Sequence, residues 1–235
     1  MVEKVIHRDA DRGRGDYEWL KTRYSFSFAN WYEPTRMGFG ALRVINDDRI
    51  APRSGFGAHE HDNMEIITIV TEGTLTHKDS LGNRGVIEAG EVQVMSAGTG
   101  VTHSEYNEGD EPLSLFQIWL LSKKRGIEPH YDQRPFIAAE NAITPIIGPH
   151  GTPGVLTINQ DAYISKARLD SEHSLTYVPH DATNGVYVFV ISGTLQIDAD
   201  TFSARDALGI IGVAAAGLST PSNAEALIFE VPILE

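Results

Sequence analysis

At 235 residues, 41% of them hydrophobic and 22% charged, the chain has the composition of a globular protein and length enough for two domains that each bury a core. A formal net charge of -13 repels phosphate backbones and anionic lipid, so direct binding of nucleic acid or of a membrane surface is not expected. The absence of cysteine removes disulfides, thiolate ligands and a cysteine nucleophile from any mechanism.

In chain order, 2–6 reads as a first strand and 11–15 as a loop. Residues 17–23 have room for a turn or two of helix. Tyr24, Phe26 and Phe28 alternate with Ser25 and Ser27, the pattern of a half-buried strand with its aromatic side inward. The irregular stretch 30–40, with Trp31, Tyr32, Pro34 and Phe39, is expected to cover a barrel or to form one wall of a pocket. Strands follow at 42–46 and 64–71, the second almost continuously apolar and therefore central. Short strands at 74–79, 85–88, 91–96 and 113–121 are punctuated by Gly73, Gly82 and Gly90. No segment sustains a 3.6-residue period, so the expected class is all-β.

Within this pattern lie two histidine-bearing pairs: His59 and His61 in one stretch, His103 and Glu105 in another. Residues i and i+2 of an extended chain share a face, so two such strands laid side by side aim three imidazoles and one carboxylate at one point. That donor set suits a divalent first-row metal ion with coordination positions left open. A lone His-x-His is more often two polar residues on a wet face; it is the second pair that changes the reading.

The spacing resembles the two cupin motifs: a glycine, His59-x-His61, then Glu65 and a strand to Gly73; and Gly90, a strand, then Gly100-x-x-His103-x-x-x-Asn107. One extra residue lies between Glu65 and Gly73, and two ahead of Gly100. The words Ser25-Phe26-Ser27-Phe28-Ala29-Asn30, Leu42-Arg43-Val44-Ile45-Asn46-Asp47-Asp48, Met95-Ser96-Ala97-Gly98-Thr99-Gly100 and Gln117-Ile118-Trp119 are together similar to the pirin family, and they carry the resemblance in the first half of the chain. It implies a bicupin, two barrels of the double-stranded β-helix or jelly-roll type. A general cupin uses Glu65 as its carboxylate ligand; the pirin resemblance implies Glu105 instead, leaving Glu65 as a neighbour or a structural strand residue.

From 122 to 154 the composition shifts to Lys, Pro, Gly and charge, which reads as a surface linker. His130 and His150 lie in it and receive no role. The second half echoes the first: Val70-Thr71-Glu72-Gly73-Thr74-Leu75 is answered by Val190-Ile191-Ser192-Gly193-Thr194-Leu195. Aligning those glycines sets Pro179 and Asp181 against His59 and His61, and Asn223 and Glu225 against His103 and Glu105. The expected organisation is a metal-binding cupin domain at 1–121, the linker at 122–154, and a cupin-like domain without metal ligands at 155–235.

The expected site is thus His59, His61, His103 and Glu105 around one divalent transition metal per chain, with Fe(II) preferred and Cu, Ni, Mn, Co or Zn as other fits, and with Glu105 also the catalytic base. The resemblance implies a quercetin 2,3-dioxygenase-like activity, opening a flavonol ring with O2, so the partners are a small aromatic, flavonol-like substrate and O2. Two other readings are a metal-dependent regulatory or redox-sensing protein that binds a protein partner, and a metal-dependent isomerase of a small sugar. Only Arg43, Arg53 and Arg84 lie near the motifs, few for an anionic sugar. Residues 1–9 lack the apolar core of a signal peptide, and no run approaches the ~20 apolar residues of a membrane span. A monomeric cytoplasmic protein is the expectation.

Overall fold

The computed structural model describes residues 2–234. Strand Met64–Glu72 is apolar on both faces because both faces are covered. Ile66, Thr68 and Val70 look into a barrel, while Ile67 packs in a core shared with Leu42, Ile45, Phe116, Ile118 and, from the other half of the chain, Phe189, Leu227 and Phe229. The same period of two recurs in Asn184–Ser192, where Val186, Val188 and Val190 fill the second barrel while Tyr187 and Phe189 face the first. Two seven-stranded sheets therefore pack back to back, each closed into a barrel by a four-stranded sheet. Fully burying each large side chain in the shared core contributes about 1.5–3 kcal/mol. Phe116 meets Phe189 edge to face, with ring centroids 5.6 Å apart.

The first large sheet has the order His130–Pro135, Glu91–Ser96, Met64–Glu72, Leu113–Leu121, Leu42–Ile50, Leu20–Tyr24, Gly13–Asp16, and faces a small sheet of Ser54–His61, Val101–Asn107, Thr74–Asp79 and Arg84–Glu88. The second barrel repeats the plan, with Ala216–Ser219 flanked by Ser174–Tyr177 and Thr194–Ile197 in its small sheet. Gly73 and Gly193 occupy equivalent turns with φ of 77° and 78°, a left-handed conformation that disfavours any side chain. Among the described residues the helical content is a single 3-10 turn, Asp9–Asp11.

Three local expectations are corrected. Residues 17–23 give no helix; Leu20–Tyr24 is a strand whose alternate residues Leu20, Thr22 and Tyr24 are buried. Ser25 and Ser27 are as buried as Phe26, so 24–28 has no wet face and leaves the strand for a covered turn. The stretch 122–154 is not a linker, since His130–Pro135 pairs with Glu91–Ser96 in the first sheet and Ala142–Pro149 with Tyr163–Leu169 in the second. Its prolines sit where a sheet tolerates a missing N–H: Pro135 and Pro149 end strands and Pro145 adjoins a bulge. The N-terminal half also lends an edge strand to the second sheet, since Glu3–His7 pairs with Ala207–Ile211. No helix among the described residues is long and apolar enough to cross a membrane.

Candidate metal centre

Strand Val101–Asn107 alternates strictly, with Val101, His103, Glu105 and Asn107 inward and Thr102, Ser104 and Tyr106 outward. It lies antiparallel to Ser54–His61 so that His103 is opposite His59 and Val101 opposite His61. Between His103 and Glu105 the register slips: Glu105 faces Phe56, three residues from His59, across two residues of its own strand. Such a bulge bends the strand and re-aims the flanking side chains.

The ligand atoms of His59, His61 and His103 all lie within 4.8 Å of one another. Nε2 of His59 and Nε2 of His103 are 3.0 Å apart, the separation of two nitrogens bound at a right angle to one ion at ~2.1 Å each. Nδ1 of His59 is 2.8 Å from the carbonyl of Gly57; donating there fixes the tautomer that leaves Nε2 a lone pair. Burial, and then the neighbouring His59, hold His61 down to about 4. Burial, His59, His61 and His77 hold His103 down to about 2. Both rings are therefore neutral at pH 7 and available as ligands. Donor type, spacing and protonation state together fit a divalent first-row metal ion.

Glu105 is fully buried on the same interior face, but its oxygens are drawn toward the large sheet. Oε1 accepts from Thr68 Oγ1 at 2.9 Å and Gln93 Nε2 at 2.6 Å, and Oε2 from Gln117 Nε2 at 2.6 Å. Those donors are register partners on adjacent strands, Gln117 opposite Thr68 and Thr68 opposite Gln93, so one row of the sheet forms the cradle. Glu105 thus falls within 4.8 Å of His103 and His77 rather than grouping with all three histidines. Burial raises its pKa against those hydrogen bonds. With one protein donor, Oε2 retains acceptor capacity.

His77 was not singled out in the sequence. It is buried directly opposite Glu105, stacks on Tyr131 with centroids 4.5 Å apart, and meets Asp79 Oδ2 through Nε2 at 3.0 Å. Its only signal was the i, i+2 pairing with Asp79. Glu65, by contrast, has its carboxylate bonded to Ser96, Ser122 and the backbone N–H of Asn159, which ties the two halves of the chain together and keeps it from the histidines.

The histidines open on a cavity of about 280 Å³ whose walls include Phe28, Phe56, Ile66 and Trp119, with Asn46, Asp48, Glu105 and Gln117 as its polar lining. Trp119 lies edge-on to His61, centroids 4.9 Å apart. In the second barrel the counterpart of Val101–Asn107 is Ala216–Ser219, so Asn223 and Glu225 do not occupy the places of His103 and Glu105; Glu225 instead pairs with Lys166 and Arg168. Ala216, Leu218, Leu195 and Ile197 fill that interior.

Fold and centre define a two-barrel cupin with a metal-binding donor set in its first barrel. Residues 7–120 match the family model described as pirin, and 145–231 that described as the quercetinase C-terminal cupin domain. A protein of Escherichia coli K12 named quercetin 2,3-dioxygenase is 42% identical over 229 residues, 97% of this chain and 98% of its own. A pirin-like protein of Caulobacter vibrioides is 39% identical over 221 residues, 93% of this chain and 95% of its own. The crystal structure of the bacterial pirin YhhW from Escherichia coli in complex with nickel(II) superposes with a TM-score of 0.93 at 39% identity, covering 99% of this chain and 100% of that one. The chain belongs to the pirin family.

Proposed function

We propose that His59, His61 and His103 hold one divalent metal ion with Glu105 as fourth ligand, and that the centre opens a flavonol ring with O2, Fe(II) being the preferred ion. The observation that carries the reading is the 3.0 Å approach of His59 Nε2 and His103 Nε2 beside His61, at the mouth of a cavity walled by aromatic rings. The name of the Escherichia coli relative and the nickel(II) in the related bacterial pirin support it.

When bound, the ion supplies Lewis acidity toward a substrate oxygen and a redox-active position for O2. The chain's own residues do the rest. A neutral flavonol reacts slowly with oxygen and its enolate much faster, so the 3-hydroxyl proton must leave. Glu105 would take it at Oε2, the one acceptor position its three donors leave open and the same position through which it would hold the ion, so it serves the two roles in turn, while Gln117, Thr68 and Gln93 fix the carboxylate's orientation. Burial raises its pKa in the metal-free protein; as a base it must be ionised, so the activity is expected to fall in acid. Phe28, Phe56 and Ile66 keep the reacting ring out of bulk water.

The test is oxygen uptake with flavonol by protein reloaded with Fe(II), after elemental analysis of the protein purified without added metal. Glu105→Gln, loaded to wild-type occupancy, is expected to lose about 10²-fold in rate. Turnover at the wild-type rate across neutral pH would reduce Glu105 to a ligand. If the wild type consumed no oxygen with any flavonol, the regulatory, protein-binding reading would replace the enzymatic one.

A further inference from the structure

The cavity holds polar groups for which neither the metal nor the base has a use. Asn46 and Asp48 are successive inward residues of Leu42–Ile50, each 3% exposed, and both line the cavity. Asn46 Oδ1 and Asp48 Oδ1 are buried without a hydrogen-bond partner. Asn46 continues the row that cradles Glu105, standing opposite Gln117, yet it takes no part in the cradle. A buried polar atom left unpaired costs on the scale of the hydrogen bond it lacks, so native proteins rarely keep two side by side without a purpose.

We infer that Asn46 and Asp48 form a hydroxyl-recognition point, which selects ring substrates carrying a hydroxyl beyond the one that reaches the metal. The inference rests on the flavonol reading for the identity of the ring. A hydroxyl suits the pair because it both donates and accepts: it donates to the amide oxygen of Asn46 and accepts from Asp48 when that carboxyl carries its proton. Burial raises the Asp48 carboxyl to about 7, so the protonated, donating form is populated near neutrality. The adjoining walls, Phe28, Phe56 and Trp119, favour a flat aromatic body between the two polar ends. A site built to hydrogen-bond a hydroxyl discriminates against the analogue lacking it, because its own groups are then left unpaired.

The test is anaerobic titration of Co(II)-loaded protein, followed by tryptophan fluorescence, with quercetin and with 3-hydroxyflavone, which has no other hydroxyl. The wild type is expected to bind quercetin about tenfold more tightly. Asp48→Leu should weaken quercetin about tenfold and leave 3-hydroxyflavone unchanged, and Asp48→Asn should retain most of the preference. Equal binding of the two flavonols by the wild type, or equal weakening of both in Asp48→Leu, would overturn the inference. If neither flavonol bound, the flavonol reading would fall, and phenol against anisole, measured by ligand-observed NMR, would decide the recognition point. A phenol preference that shrinks in Asp48→Leu supports it; no preference, or no binding of either probe, refutes it.

Discussion

The two barrels share a plan and differ in what fills them, and two buried glutamates show the difference most clearly. Glu105 in the first barrel has three side-chain donors, and burial raises its pKa. Glu230 in the second also meets the desolvation penalty, but five donors outweigh it: Tyr177 Oη, the backbone N–H of His180 and of Asp181, His180 Nδ1 and Asn184 Nδ2. Its pKa falls. The balance of desolvation against donors, not surface exposure alone, sets the charge of a carboxylate. Beyond these polar partners of Glu230 the second barrel is filled by aliphatic side chains such as Leu195, Ile197 and Leu218. Around Glu105 the first keeps histidines, a cavity and acceptor capacity to spare.

Replacing one imidazole breaks the comparison hardest. His61→Ala is expected to lose most of its bound metal by elemental analysis while keeping its far-UV circular dichroism, since a core of this size folds without the ion. Leu195→Ala, in the filled barrel, should do the opposite, costing about 2–5 kcal/mol in denaturant unfolding with metal content unchanged.

Titration sharpens the contrast. Asp48 prefers its proton when folded, so its contribution to stability is lost as pH rises from the ordinary carboxylate range through about 7. Asp48→Asn should therefore match the wild type near pH 4 and exceed it above pH 7, by at most ~4 kcal/mol. Glu230 has the reverse sign. Its depressed pKa gives stability present above the unfolded value and lost as pH falls through the folded one. Glu230→Gln should cost about 1–3 kcal/mol in urea unfolding at pH 7 and less in acid.

The meeting of His59, His61 and His103 was legible because a strand's period is two, so His59 shares a face with His61 and His103 with Glu105. The all-β class was equally plain from the short runs and their glycines. What the sequence hid was polar residues facing inward. Leu42–Ile50 reads as ending at Asn46 because Asp47 and Asp48 look like a turn, yet the strand runs on with Asp48 turned into the cavity. His77 sits alone on a third strand, and only the pairing of Thr74–Asp79 with Val101–Asn107 brings it to Glu105. The proline-rich stretch after Leu121 concealed two strands because prolines at ends and bulges look, in one dimension, like prolines in a loop.

Titration of metal-free protein with Co(II), followed by its visible absorption, tests most directly the claim that one barrel is the centre and the other its scaffold. Saturation is expected at one tight equivalent per chain, with that equivalent lost in His61→Ala. A second tight equivalent, or a first that survives the substitution, would contradict it.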